Sequence, residues 1–220
     1  MPKTLIASPS EVFEALLQLI SDGSLAKHSF ISLRRLLIGF TLGSAIGFLL
    51  GVVVAISPLA YRIISPTINF ISPVPVTSWI PLIIILTGIG ELSKSTVLAV
   101  GCFFPVFYGT VSGFQSATNE LLELAQFYGK TKSKLIKTIL LPSAMPALFQ
   151  ALQVALGLSW ILLVVAEVIA SREGLGWLMW DSRNFGRPDE MIVGMIAAGV
   201  LGATTLRILR IFEHKAMFWK

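Results

Sequence analysis

An all-α integral membrane fold is what this sequence predicts. Of its residues, 55% are hydrophobic and only 13% charged, the mean hydropathy is +0.81, and Leu36 to Ile56 runs without a charge. No soluble core requires such an excess of apolar residues. A helix takes about 20 apolar residues to cross roughly 30 Å of hydrocarbon, and lipid allows no spanning segment to leave its backbone groups unpaired. Five crossings are expected, at Leu36–Ile56, Val74–Gly90, Ser95–Phe114, Ala147–Ala170 and Met191–Phe212, within one membrane domain covering 1–220.

Ahead of the first span, Ser8-Pro9-Ser10-Glu11 forms a capping box with proline at the first helical position, followed by Val12, Phe13, Leu16, Leu17 and Ile20 at helical spacing. Gly23 ends this helix, and Glu11, Glu14 and Gln18 suit it to lying on the membrane rather than crossing it. The first residues hold no basic n-region with an apolar h-region and cleavage site, so a signal peptide is not expected.

Within the first span, Gly39, Gly43, Gly47 and Gly51 recur every four residues, a ridge bare of side chains that admits a neighbouring helix closely. Gly194, Ala198 and Gly202 repeat the pattern more weakly in the last span. Between the first two spans, Pro58, Pro66, Pro73, Pro75 and Pro81 gather with Ser65, Asn69, Ser72, Thr77 and Ser78. Such a stretch breaks helices, and irregular backbone is tolerated at membrane depth only inside protein or beside water. The segment from Ser72 to Pro81, with Trp79, is therefore expected to begin a span along a translocation pathway; a turn with an interfacial tryptophan is the alternative. Pro105 is read as a kink.

The polar island from Asn119 to Pro142 stands apart from these runs. Asn119 to Gly129 reads as a short helix with Glu120 and Glu123 at its positive end and Leu121, Ala125 and Tyr128 along one face. Lys130, Lys132, Lys134 and Lys137 then alternate with Leu135, Ile136, Ile139 and Leu140, predicting a second amphipathic helix until Pro142 interrupts it. The two form a helix-turn-helix at a membrane face.

Glu123-Leu124-Ala125, three residues to Gly129, nine to Ile139, then Leu141-Pro142: this spacing resembles the Glu-Ala-Ala loop of binding-protein-dependent ABC importer permeases, with Leu124 in place of the first alanine. Ile80-Pro81-Leu82, Gly88-Ile89-Gly90-Glu91 and Gly174-Leu175-Gly176-Trp177 extend the resemblance over almost the whole chain, toward the sulfonate, taurine and nitrate branch. It implies a type I ABC importer transmembrane fold, with the N-terminal interfacial helix and a cytoplasmic coupling hairpin at 119–142 beside the spans. In the family a further span normally precedes the N-terminal segment. The hairpin would enter a groove of an ABC ATP-binding subunit in the helix-in-groove mode, Glu123 orienting its first helix, Gly129 permitting the turn, and Ile139, Leu141 and Pro142 bracing it against the bundle. The implied partners also include an extracytoplasmic solute-binding protein, a second permease copy in a homodimer, and the lipid bilayer. No cofactor is expected on this chain, ATP and Mg residing on the partner subunit. Placement follows as a multi-pass protein of the prokaryotic inner membrane. With the hairpin inside, nine Lys and Arg lie inside and eight outside, Arg34 and Arg35 among the latter, so orientation rests on the family.

Glu167 is the only acid within an apolar span, where an ionisable group is costly. Family members often carry an Ala-Glu pair here, matched by Ala166-Glu167, and a gating or pathway-mouth role stands beside that of an interfacial glutamate. Ser159 and Trp160 would offer a hydroxyl and an aromatic wall to a passing solute. The outer loop Ser171 to Glu190, with Trp177, Met179, Trp180 and Phe185, reads as an interfacial belt and as the implied docking face for the binding protein.

Enzymatic readings are excluded as far as the residues go. The lone Cys102 sits in a span, His28 and His214 are far apart, no metal-ligand spacing occurs, and Ser93 precedes Lys94 where a phosphate loop demands glycine. The basic residues form no groove-sized patch for nucleic acid. The expected function is the permease subunit of an ATP-driven importer for a small anionic solute such as a sulfonate, taurine or nitrate. A stand-alone secondary transporter or channel is the alternative, which would need coupling acids deep in the spans.

Overall fold

A computed structural model describes residues 7–116 and 136–217. In order these form α1 (Pro9–Ser21), α2 (Ser24–Ile56), α3 (Pro58–Ile71), α4 (Val76–Thr87), α5 (Glu91–Gln115), a π-turn (Ile136–Leu140), α6 (Leu141–Ala170), α7 (Leu175–Asn184) and α8 (Pro188–Ala216). Four of the helices, α2, α5, α6 with its leading turn, and α8, are long and apolar enough to cross a membrane. Among the described residues, a fifth crossing exists only if α3 and α4, bent by 98° at their junction, make one broken span.

This corrects the expected span Val74–Gly90. Pro75 and Gly88 confine α4 to 12 residues, about 18 Å of helix, too short to cross alone. The first span also starts earlier than Leu36: α2 has 33 residues and carries Arg34 and Arg35 inside the helix rather than in a loop. Nor does Pro142 end a helix. It occupies the first turn of α6, where its missing N–H costs nothing, and Pro146 lies within the same helix.

In α1 the Ser8 side chain accepts from the Glu11 N–H while the Glu11 carboxylate accepts from the Ser8 N–H, closing the capping box. Gly23 at φ 75° turns the chain directly into α2. Ala15 and Leu19 pack on Val193 of α8, leaving Phe13, Leu17 and Ile20 as an exposed apolar stripe.

Helix α5 lies at the centre of the bundle. Leu36 of α2, Val97 and Leu98 of α5, Leu162 and Leu163 of α6, and Ile80 and Ile83 of α4 share one core cluster. The Ser171–Glu190 stretch, expected as an aromatic loop, instead holds α7, whose Leu175, Leu178 and Ser182 are buried. Arg187 pairs there with Asp181 at 3.0 Å and Glu190 at 2.9 Å.

Candidate functional site

All four ridge glycines of α2 are buried and face α5. Gly39 lies opposite Leu98, Gly43 opposite Ala99, Gly47 opposite Phe103 and Phe107, and Gly51 opposite Thr110, so the two helices run in the same direction at backbone contact. Helix α5 presents glycines of its own to α6: Gly101 meets Leu162, Gly109 meets Ala151 and Gly113 meets Ala144. They keep the same four-residue period as the α2 ridge, with Pro105 standing in the place between Gly101 and Gly109.

At the end of the bundle where α6 passes into α7, a buried ionic cluster ties four segments together. Glu167, with no exposed surface, accepts from Arg35 Nη1 at 2.8 Å, from Ser32 Oγ at 2.8 and 3.0 Å, and from the Gly176 N–H at 2.8 Å. The same Arg35 forks onto Glu91 of α5 through Nε (2.8 Å) and Nη2 (2.6 Å), and its Nη1 also donates to the Glu173 carbonyl at 2.7 Å. Lys94 adds a 3.0 Å contact to Glu91. Backbone N–H groups of the turn complete the set, Leu175 donating to Ser32 Oγ at 2.8 Å and Gly174 to His28 Nδ1 at 2.9 Å. Every charge is thus neutralised and hydrogen-bonded, the condition under which a buried pair is tolerated. On the outer side of the turn, Lys27 lies 2.7 Å from Glu173 and holds its carboxyl below the ordinary carboxylate range. That exposed pair adds little stability.

The Gly-Leu-Gly run gains a physical reason from this geometry. Gly174 has φ 113°, and a Cβ there would collide with the Glu167 carboxylate; at Gly176 it would come within 2.9 Å of Glu167 Cβ. Gly174→Ala is therefore expected to cost about 1–3 kcal/mol in backbone strain, read as a lower thermal midpoint of the purified protein. Gly186→Ala supplies the comparison, since its φ is 65° but no atom lies within 4 Å of the added carbon.

A family profile described as "Binding-protein-dependent transport system inner membrane component" matches residues 43–216. The chain belongs to this family. A protein of Bacillus subtilis (strain 168) named as an aliphatic sulfonates transport permease protein, SsuC, is 30% identical over 99% of this chain and 79% of its own length. Its counterpart of that name in Escherichia coli (strain K12) is 33% identical over 98% of this chain and 82% of its own. The taurine transport system permease protein TauC of the same strain is 28% identical over 96% and 78%. The fold resembles that of an inward-facing MetNI methionine ABC transporter chain, with a TM-score of 0.69 over 90% of this chain and 96% of that one, at 19% identity. The protein is a multi-pass ABC importer permease subunit of type I fold.

Of the residues singled out in this permease, Glu123, Leu124, Ala125 and Gly129 lie outside the described residues. Ile139 lies in the π-turn and Leu141 and Pro142 open α6, all three half-buried at the foot of that helix. Ser159 is buried against α5, its hydroxyl 2.9 Å from Cys102 Sγ and donating to the Ala155 carbonyl at 2.7 Å. Trp160 donates to Thr205 of α8 at 3.1 Å. Within one copy, then, Ser159, Trp160 and Glu167 bind helix to helix and present no polar group to an open passage. Trp79 borders an apolar cavity of about 510 Å³ with Leu42, Ile46, Ala99 and Phe103, and Pro81 is exposed on α4. Arg35 and Ser32 were missed as partners of Glu167, and Glu91 as the second partner of Arg35. The only sequence signal was a charged residue beside an apolar run, and its partners lie 56 and 132 positions away.

Proposed function

We propose that this permease takes a small anionic solute, of the sulfonate, taurine or nitrate kind, from an extracytoplasmic solute-binding protein and passes it across a prokaryotic cytoplasmic membrane. Two copies form the passage, and ATP with Mg is bound and hydrolysed on separate subunits that receive the 119–142 hairpin. The observation that supports this reading most is the family match over 43–216, which takes in the whole hairpin and its Glu123, Gly129 and Leu141-Pro142 spacing. The substrate class rests on the names of SsuC and TauC.

Reconstitution with the cognate ATP-binding subunit and binding protein tests it. The wild type is expected to show ATP-dependent uptake. Gly129→Asp, which places a charged side chain at the turn, is expected to abolish uptake and ATPase stimulation while the protein stays in the membrane. Normal uptake by a fully assembled Gly129→Asp transporter would remove the coupling role.

A further inference from the structure

The junction of α3 and α4 lies partway along α5, a helix long and apolar enough to cross a membrane. Tyr108 of α5 meets it, seven residues before Gln115 and so about 10 Å from that end of the helix. Val76, at the start of α4, lies beside Gly101, about 21 Å from the same end. The break at Ser72–Pro75 therefore sits between those depths, with Pro73, Val74 and Pro75 exposed. A broken helix at such depth needs protein or water against it, because lipid cannot pair the backbone groups set free at its ends.

Polar side chains collect at this break. The Tyr108 hydroxyl donates to Asn69 Oδ1 at 2.8 Å and lies 2.9 Å from Ser72 Oγ. Asn69 and Tyr108 are exposed, as are Thr77 and Ser78 one turn further on. With its oxygen engaged, the Asn69 amide keeps two N–H donors that have no partner among the described residues. None of these groups is charged. Uncharged donors fixed by a phenol hold an oxyanion weakly, which suits a group that must release what it touches.

We infer that Asn69, Ser72 and Tyr108 form a polar station at the α3–α4 break that hydrogen-bonds the oxygens of the translocated anion. This rests on the proposed function and adds to it the residues that contact the solute in mid-membrane.

Asn69→Cys and Ser72→Cys, each in a Cys102→Ala background and in the complete transporter, are treated with 2-sulfonatoethyl methanethiosulfonate, a water-soluble sulfonate probe. Both are expected to react on the order of tenfold faster than Ile46→Cys, an exposed apolar position of α2 at similar depth. Tyr108→Phe, which frees Asn69 and Ser72 from their anchor, is expected to lower uptake of the cognate anion about fivefold, the effect of one neutral hydrogen bond. Labelling no faster than at Ile46→Cys overturns the station, as does a disulfide joining Asn69→Cys to its equivalent in a second copy. Lack of ATP-driven uptake by the Cys102→Ala parent counts against the importer reading instead; the labelling rates report water access without uptake and decide the station on their own.

Discussion

Arg35→Met is expected to destabilise the permease by about 3–5 kcal/mol, the usual cost of removing one partner from a buried ion pair. The loss reaches beyond one contact. Arg35 is 3% exposed and alone joins the Glu167 carboxylate on α6, the Glu91 carboxylate on α5 and the Glu173 carbonyl of the turn. Without it, Glu167 remains buried with only the Ser32 hydroxyl and the Gly176 N–H as donors, and such a carboxyl must take up a proton or draw in water. Glu167→Gln is expected to cost less. The amide oxygen can still accept from Ser32 and Gly176, and Arg35 retains its fork onto Glu91. The double variant Arg35→Met/Glu167→Gln removes both charges together and should be more stable than the sum of the single losses, because no lone charge is left behind. Thermal midpoints of the four proteins in one detergent measure this. Additive effects would mean that the two residues act independently and that the cluster is not the clamp its geometry describes.

That cluster marks the limit of what the sequence discloses. Hydropathy locates α2, α5, α6 and α8 because each presents a long apolar run, and windows of composition detect such runs. The same windows misplace the start of α2, since Arg35 counts as a loop charge until its partners are known, and those stand 56 and 132 positions away. They also join α4 to its flanks: Val74 to Gly90 carries no charge, yet Pro75 and Gly88 leave only 12 helical residues between them. Glu167 is conspicuous as an acid in an apolar run, but its environment depends on the fold of the Gly174–Gly176 turn. The ridge on α2 is legible because its period matches the helix. Gly101, Gly109 and Gly113 on α5 keep that period too, but Pro105 interrupts the row, and its partners Leu162, Ala151 and Ala144 belong to a helix that packs from the other side.

Gly43→Val is the second large effect expected, and it acts through backbone rather than charge. A Cβ at Gly43 would lie 2.7 Å from Ala99 Cα and 2.8 Å from its carbonyl carbon. Backbone atoms cannot rotate away as a side chain can, so α2 and α5 must separate. Separation also loosens the contacts of Gly39, Gly47 and Gly51, because one rigid helix carries all four. Overpacking of a dense interior typically costs about 1–3 kcal/mol, and the loss of close approach along a whole helix pair places this variant at the upper end. Lipid offers the parted helices no hydrophobic drive to close again. Gly199→Ala is the opposing case: a Cβ there meets nothing within 4 Å, and alanine favours the helix by up to about 1 kcal/mol. The expected result is a much lower thermal midpoint and little assembled transporter for Gly43→Val, beside an unchanged or slightly raised midpoint for Gly199→Ala. Equal midpoints would show that α5 yields at Ala99 without cost and that the ridge is not a contact between backbones.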